Sequence, residues 1–136
     1  MKTIEQIKKY INDSDMVLVG IGNEEWENGQ RELFEKILEG KNHYIINEDM
    51  TEENNGWSKY SMWLMGSMNR KICIIESDVS MERPDRSRWP FERIAVINKK
   101  AIFIRINKKL PYIPVELKDR GIGIAENAMD ILSGIC

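Results

Sequence analysis

Residues 16–22 read MVLVGIG, a continuous apolar run with two glycines near its end. Such a run is typical of a strand that is buried on both faces of a parallel sheet. Comparable runs occur at KICIIES (71–77) and AIFIRIN (101–107), and a shorter one, HYIIN (43–47), lies between the first two. We predict that these four segments, numbered in chain order, are strands of a single sheet.

Apolar residues recur at helical spacing between these runs, which predicts a helix before or after each strand. The predicted helices cover about 3–11, 24–40, 57–68, 89–98 and 126–134. Alternating strands and helices indicate an α/β fold with three layers and right-handed crossovers. We expect a Rossmann-like open parallel sheet with the strand order 2-1-3-4, and GIGI (121–124) as a fifth strand at an edge.

The composition indicates one soluble globular domain over residues 1–136, with 42% hydrophobic and 31% charged residues. No apolar run approaches the roughly 20 residues of a membrane-spanning helix, and MKTIEQIKKY lacks the apolar centre of a signal peptide. Twenty basic and 22 acidic residues give a formal charge of −2, whereas nucleic-acid binding normally needs a basic face. We therefore expect neither a membrane nor a nucleic acid as partner.

Cysteine and histidine usage argues against a metal site. Cys73 and Cys136 are the two cysteines, and neither lies in a metal-ligand spacing. His43 is the single histidine, so no zinc site can be built on several imidazoles. It lies at the start of strand two, so it is expected at the amino end of the sheet and at the surface, while Cys73 is expected in the core. Few cysteines indicate a reducing compartment, and we expect the cytoplasm.

A sheet of this order has a defined place for a ligand. Ligands of open parallel sheets bind beyond the carboxyl ends of the strands, where the strand order reverses. That point lies between the segments that follow strands one and three, with the segment after strand two nearby. The candidate residues in these segments are Gly20, Ile21, Gly22, Asn47, Asp49 and Ser77.

Gly20-Ile21-Gly22 is similar to the start of a phosphate-binding turn, in which missing side chains let backbone amides approach a phosphate. The third glycine of the dinucleotide motif is replaced by Glu25. Carboxylates at the start of the next helix also compete with a phosphate for the helix dipole. The alternative is a tight strand-to-helix turn that binds nothing.

Arginines cluster after strand three, on the expected ligand side: Arg83, Arg86, Arg88 and Arg93. Guanidinium groups pair bidentately with phosphates, so this segment is a candidate for an anionic ligand. The alternative is a solvated loop in which the arginines pair with neighbouring carboxylates.

The third helix is apolar around most of its circumference. We expect Tyr60, Leu64 and Met68 to pack on the sheet, which leaves other large side chains without a partner in the chain. A helix that is apolar all round is buried or contacts a partner, so we expect a homo-oligomer interface built from Trp57, Met62 and Trp63. The alternative is that the polar loop at 48–55 covers these side chains.

Four short motifs, in their order, resemble the sirtuin superfamily of NAD-dependent deacylases, in particular bacterial sirtuin-like proteins with a WPFE segment. They are Gly20-Ile21-Gly22, Asn47-Glu48-Asp49, Arg88-Trp89-Pro90-Phe91-Glu92 and Ile106-Asn107. The resemblance covers the chain from about residue 14 onward. It implies a Rossmann-type domain that binds NAD or ADP-ribose, with Asn107 near the adenosine ribose and Arg88 among the binding residues.

The chain also departs from the sirtuin pattern. It passes directly from Asn47 to Trp57, so the smaller inserted domain with its zinc cysteines is missing. No histidine is placed to act as the base, and the Phe-Arg pair after the glycine turn is absent. The resemblance therefore implies a reduced Rossmann core without zinc and without deacylase activity.

Three hypotheses about function follow. The first is a binding module for NAD, ADP-ribose or a related nucleotide. The second is a catalytically silent interaction module that forms a homodimer. The third is a residual NAD-cleaving enzyme in which Glu24, Asp49 or Asp78 stabilises an oxocarbenium-like transition state, as carboxylates do in glycosidic cleavage.

Overall fold

The computed structural model describes residues 2–22, 29–47, 55–78 and 88–135. Its helices are α1 (Lys2–Asp13), α2 (Gln30–Ile37), α3 (Asn55–Met65), α4 (Arg88–Ile97) and α5 (Ala128–Ile135), and a short 3-10 helix covers Val115–Leu117. The strands are β1 (Met16–Ile21), β2 (His43–Asn47), β3 (Ile72–Ser77), β4 (Ile102–Ile106) and β5 (Gly121–Ile124). Every predicted strand is confirmed to within one residue at either end.

The strands form one parallel sheet in the order β2-β1-β3-β4-β5. The predicted order 2-1-3-4 is confirmed, and the fifth strand pairs with β4 at the sheet edge. In the register, Gly20 lies opposite Glu76, Glu76 opposite Arg105, and Arg105 opposite Gly123. This row lies one residue before the carboxyl end of each strand, so it positions the candidate site.

Helices cover both faces of the sheet. Successive strand residues point to opposite sides, and the apolar side chains on each side pack against helices. On one face, α1, α2 and α5 enclose a core that includes Val19, Phe34 and Ile75. On the other, α3, α4 and the 3-10 helix enclose a second core that includes Leu18 and Phe103. The predicted three-layer architecture is therefore confirmed.

The ends of the helices follow local backbone geometry. Gly29, with φ +96°, precedes α2, and the predicted start of this helix at residue 24 lies outside the described residues. Gly40, with φ +83°, follows the end of α2, in the left-handed conformation that favours glycine. Within the described ranges, no helix is long and apolar enough to cross a membrane.

The surface of α3 differs from the prediction. The helix ends at Met65 instead of continuing to Met68, and Met68 is exposed instead of packing on the sheet. Trp63 does have partners in the chain: its ring lies 5.8 Å from that of Tyr44, and its Nε1–H donates to Asn42 Oδ1 at 2.8 Å. The expectations that the helix reaches Met68, that Met68 packs on the sheet and that Trp63 has no partner in the chain are therefore wrong. Tyr60 is buried as expected.

Met62 is 75% exposed and remains without cover among the described residues, as the sequence predicted. Met65 is exposed to the same extent. The side chain of Trp57 and the loop at 48–54 lie outside the described residues. The oligomer interface predicted through Trp57, Met62 and Trp63 therefore continues as a proposal, in which Met62 is the exposed described member and the neighbouring Met65 is added to it.

Candidate functional site

The carboxyl ends of β1 and β3 meet where the strand order reverses, since β1 lies between β2 and β3. The Gly22 N–H donates to the Ser77 carbonyl at 3.1 Å, which extends the ladder one residue beyond β1. The side chain of Ile21 is buried in the first core, so this residue presents its backbone at the edge. The fold therefore places the glycine turn at the position where parallel sheets bind ligands.

A chain of polar side chains links α2 to the end of β3. The Ser77 hydroxyl donates to Gln30 Oε1 at 2.7 Å, and Gln30 Nε2 donates to Asp78 Oδ2 at 3.3 Å. Gln30 and Ser77 are fully buried. Because Gln30 is the first residue of α2, these bonds hold the start of that helix against the carboxyl end of β3.

Asp78 combines a special backbone conformation with a partly buried carboxyl group. Its φ of 51° lies in the left-handed region, and its N–H donates to the Ile106 carbonyl at 2.9 Å. Burial raises the pKa of the Asp78 carboxyl above its ordinary value, and the hydrogen bond from Gln30 opposes part of that shift. Such residues cluster at functional sites, where the surrounding structure holds them.

The WPFE segment forms the first half of α4, which is fastened to the sheet through Phe91 and Glu92. The Phe91 ring is fully buried and fills the space above Gly20, where a Cβ atom would lie 2.4 Å from Phe91 Cε2. At the other end of α4, Asn98 Nδ2 donates to the Ser67 and Arg70 carbonyls, which precede β3. Helix α4 therefore begins near the carboxyl edge and runs to the amino edge.

Glu92 joins an ion-pair network that crosses two central strands. Arg105 Nε and one terminal nitrogen donate to the two carboxylate oxygens of Glu76, both at 2.9 Å. The same terminal nitrogen donates to Glu92 Oε1 at 2.7 Å. The side chains of Arg105 and Glu76 are 2% and 1% exposed, and that of Glu92 is 23% exposed. We call these three residues the arginine network.

The segment that follows β4 is hydrogen-bonded to the arginine network and forms a turn at the carboxyl edge of the sheet. The other terminal nitrogen of Arg105 donates to the Tyr112 carbonyl. Asn107 Oδ1 accepts from the Lys109 and Leu110 amides at 3.0 and 2.9 Å, and the Asn107 N–H donates to the Ile124 carbonyl at 3.0 Å. Asn107 therefore shapes this turn at the carboxyl edge.

The remaining sequence candidates divide by position. Asn47 ends β2 and Arg88 begins α4, so the backbone of each lies near the carboxyl edge. Asp49 and Glu24 lie outside the described residues, as do Arg83 and Arg86. His43 begins β2 at the opposite, amino edge, as expected, with its Nδ1 2.7 Å from the Lys41 carbonyl and its Nε2 3.2 Å from a Glu35 carboxylate oxygen.

Sequence reasoning missed Gln30 and the arginine network. Oppositely charged residues near the carboxyl ends of two apolar runs, Glu76 in KICIIES and Arg105 in AIFIRIN, are a signal that predicts a buried ion pair between neighbouring strands, and the two residues are paired in the sheet register. Gln30 gave no comparable signal, because its role depends on the tertiary contact with Ser77.

Across the described residues, no group of three or more His, Cys, Asp or Glu side chains is arranged to hold a metal ion. Cys73 is buried in a core, as predicted, and burial raises its thiol pKa to about 12. This thiol is therefore protonated at neutral pH. That the protein binds no zinc stays a prediction.

No family model matches the chain. Over 75 residues, the chain is 25% identical to a protein from Staphylococcus aureus (strain Mu50 / ATCC 700699) named "Protein ADP-ribosyltransferase". The matched part is 55% of this chain and 24% of the relative, so the chain spans about a quarter of that relative's length. This distant similarity and the parallel α/β sheet are compatible with a nucleotide-binding fold. The resemblance to sirtuins stays a prediction.

Proposed function

We propose that the carboxyl edge of β1 and β3 binds NAD, ADP-ribose or a related nucleotide. The observation that carries the proposal is the convergence of the Gly22 turn with Ser77, Gln30 and Asp78 where the strand order reverses. The relative from Staphylococcus aureus supports the same ligand class, because its name denotes the transfer of ADP-ribose.

The residues at this edge fit such a ligand. Backbone N–H groups between a strand and a helix bind phosphate oxygens, and Gly22, just beyond β1, has no side chain to obstruct the approach of a phosphate. Arg88 would supply a guanidinium group for the pyrophosphate. Asn107 would contact a ribose, as the sirtuin resemblance implies. These groups bind and orient the ligand, and a bound nicotinamide nucleotide would supply the reactive glycosidic bond.

Titration calorimetry with NAD and with ADP-ribose tests the proposal. We expect saturable binding of at least one of them, and at least about a tenfold loss of affinity, or 1.4 kcal/mol, in Gly22→Val. The free energy of unfolding of the variant must be measured beside it, so that a folding defect is recognised. Binding of neither nucleotide overturns the proposed function, whereas unchanged affinity in a folded variant overturns the site.

We also expect no lysine deacylase activity. The single histidine lies at the amino edge of the sheet, away from the proposed site, and the zinc cysteines of the sirtuin pattern are absent from the sequence. Incubation with NAD and an acetyl-lysine peptide should give no NAD-dependent product. Turnover, or stoichiometric zinc in a metal analysis, would contradict this expectation.

A further inference from the structure

Two tight turns at the amino edge of the sheet are bonded to each other. One is closed by the Arg70 N–H, which donates to the Ser67 carbonyl at 3.1 Å, and the other by the Ala101 N–H, which donates to the Asn98 carbonyl at 3.0 Å. The Asn98 side chain joins them, since its Nδ2 donates to the Ser67 and Arg70 carbonyls at 3.1 and 3.2 Å. Arg120 also donates to the carbonyls at both ends of the second turn. These bonds hold the two turns in one arrangement.

The exposed side chains on and beside these turns combine positive charge with apolar groups. Met68 lies inside the first turn and is 61% exposed, and Ile97, the last residue of α4, is 59% exposed. Exposed cations lie within three positions of them in the chain: Arg70, Lys71, Lys99 and Lys100. We call these six residues the amino-edge surface. Met62 and Met65 of the proposed oligomer interface precede it on α3 and are not part of it.

The charge of the amino-edge surface is not balanced locally. Within the part of the chain that the structure describes, none of its four cations forms an ion pair. Carboxylates occur in the flanking turns, Asp15 before β1 and Asp119 before β5, and Lys118 offsets the second. Positive charge is therefore concentrated here, although the formal charge of the whole chain is −2. Crowded like charges destabilise a compact state, so the stability of the fold does not account for this composition.

From these observations we infer that the amino-edge surface binds an acidic segment of a partner protein that also presents apolar side chains. Complementary charge speeds the association of two proteins and selects the partner. Methionine and arginine are enriched in protein interfaces, and the flexible methionine side chain adapts to differently shaped apolar groups. This inference is independent of the proposed nucleotide site, which lies at the opposite edge of the sheet.

The apolar members of the surface distinguish a protein from other acidic partners. The phosphates of a nucleic acid would pair with the cations but would offer no apolar group to Met68 and Ile97. Proteins that bind at a membrane surface usually insert large apolar side chains such as Trp, Phe or Leu, and none of these belongs to the amino-edge surface. An acidic peptide segment with apolar side chains complements both the charge and the apolar groups.

The first test measures the binding of labelled probes to the unmodified protein by fluorescence anisotropy. The probes are a peptide with Glu and Leu at helical spacing, a polyglutamate peptide of the same charge, a single-stranded DNA of the same charge, and vesicles that contain phosphatidylglycerol. We expect saturable binding of the Glu/Leu peptide, at least about tenfold tighter than that of each other probe and weaker at high salt. Binding of no probe, or equal or tighter binding of polyglutamate, DNA or vesicles, overturns the inference.

The second test removes each component of the surface separately. Lys99→Gln combined with Lys100→Gln removes charge, and Met68→Ser combined with Ile97→Ser removes the apolar groups. Each pair should lower the affinity for the Glu/Leu peptide at least about tenfold.

Lys8→Gln combined with Lys9→Gln is the matched control, because it makes the same charge change at two adjacent exposed lysines of α1. This control should keep the full affinity. Full affinity in a folded amino-edge variant, or an equal loss in the control, contradicts the inference. A change of oligomeric state in the Lys99/Lys100 variant, measured by sedimentation, would assign the surface to contacts between copies of this chain and would also overturn it. If an amino-edge variant does not fold, the comparison of probes on the unmodified protein decides.

Discussion

Gly20 lies within β1 and Gly22 just beyond its end, and the two positions need glycine for different reasons. At Gly20 the constraint is packing, because the buried Phe91 ring occupies the space that a side chain would need. Gly22 lies beyond β1, and its N–H is bonded to the Ser77 carbonyl. A variant at Gly20 therefore tests how α4 packs on the sheet, and a variant at Gly22 tests whether a ligand approaches the backbone there.

Gly20→Ala should lower the free energy of unfolding by about 1–3 kcal/mol, the usual cost of overpacking a core. The added Cβ would lie 2.4 Å from Phe91 Cε2 and would displace the ring and α4 with it. Urea unfolding measures the effect. In a Phe91→Leu background the same substitution should cost less, since residues in contact show coupling. Equal costs in both backgrounds would rule out the ring as the cause.

Asp78→Asn should raise the free energy of unfolding at pH 7. Burial raises the pKa of this carboxyl in the folded state, so the ionised carboxylate lowers the stability of the folded state. This loss of stability is complete only at a pH above the folded pKa. Below the unfolded value of about 3.9 the carboxyl is protonated in both states, and the gain should disappear. Asparagine also tolerates the positive φ of this position.

Thermal unfolding between pH 3 and pH 7 checks this prediction, with Asp119→Asn at an exposed position as the control. A gain that is independent of pH, or a loss of stability at pH 7, would show that the Asp78 carboxylate is better accommodated than its burial indicates.

At the scale of elements, the strands and their order were predictable from the sequence. β1 and β3 are buried along their whole length, and strands of this kind must read as continuous apolar runs. Right-handed crossovers and short connections then restrict the possible strand orders. In the edge strand β5 only Ile124 is fully buried, which explains why its four residues gave a weaker signal.

Contacts between elements were less predictable. The apolar sequence through Met68 does not reveal that α3 ends at Met65, and that end decides which side chains face the sheet. Trp63 acquired a partner because β2 brings Tyr44 beside it, a contact between residues far apart in the chain. The link from Gln30 to Ser77 spans 47 positions and depends on the finished fold in the same way.

Arg120 closes the end of α4 at the amino edge. One of its terminal nitrogens donates to the carbonyls of Ala95, Asn98 and Ala101 at 2.9–3.0 Å, and a cation at this end also complements the helix dipole. Arg120→Met should lower the free energy of unfolding by about 1.5–3 kcal/mol, as hydrogen bonds to charged groups do.

Urea unfolding measures that loss, and nucleotide affinity of the folded variant should not change, because the contacts lie at the edge opposite the proposed site. A selective loss of affinity would place Arg120 in the binding machinery and contradict this division.

For the whole molecule, the two edges of the sheet differ in the polar groups that they carry. At the amino edge, Asn98 and Arg120 donate hydrogen bonds to backbone carbonyls that precede β3 and β4. At the carboxyl edge, Asp78 has an unusual backbone conformation, and Glu92 is a charged group open to solvent. Stabilising contacts are thus described at the amino edge, and the proposed ligand site lies at the opposite, carboxyl edge.

The assembly of the molecule is the last prediction. Met62 and Met65 are each 75% exposed and lie three positions apart on α3, so they form one ridge. Burying a large apolar side chain contributes about 1.5–3 kcal/mol, and a two-fold dimer places each ridge against its own copy. Sedimentation at micromolar concentration should therefore show a dimer, and Met62→Glu combined with Met65→Glu should give a folded monomer. Val115→Glu, at an exposed apolar position on another part of the surface, should leave the dimer intact, and a monomeric unmodified chain would refute the interface.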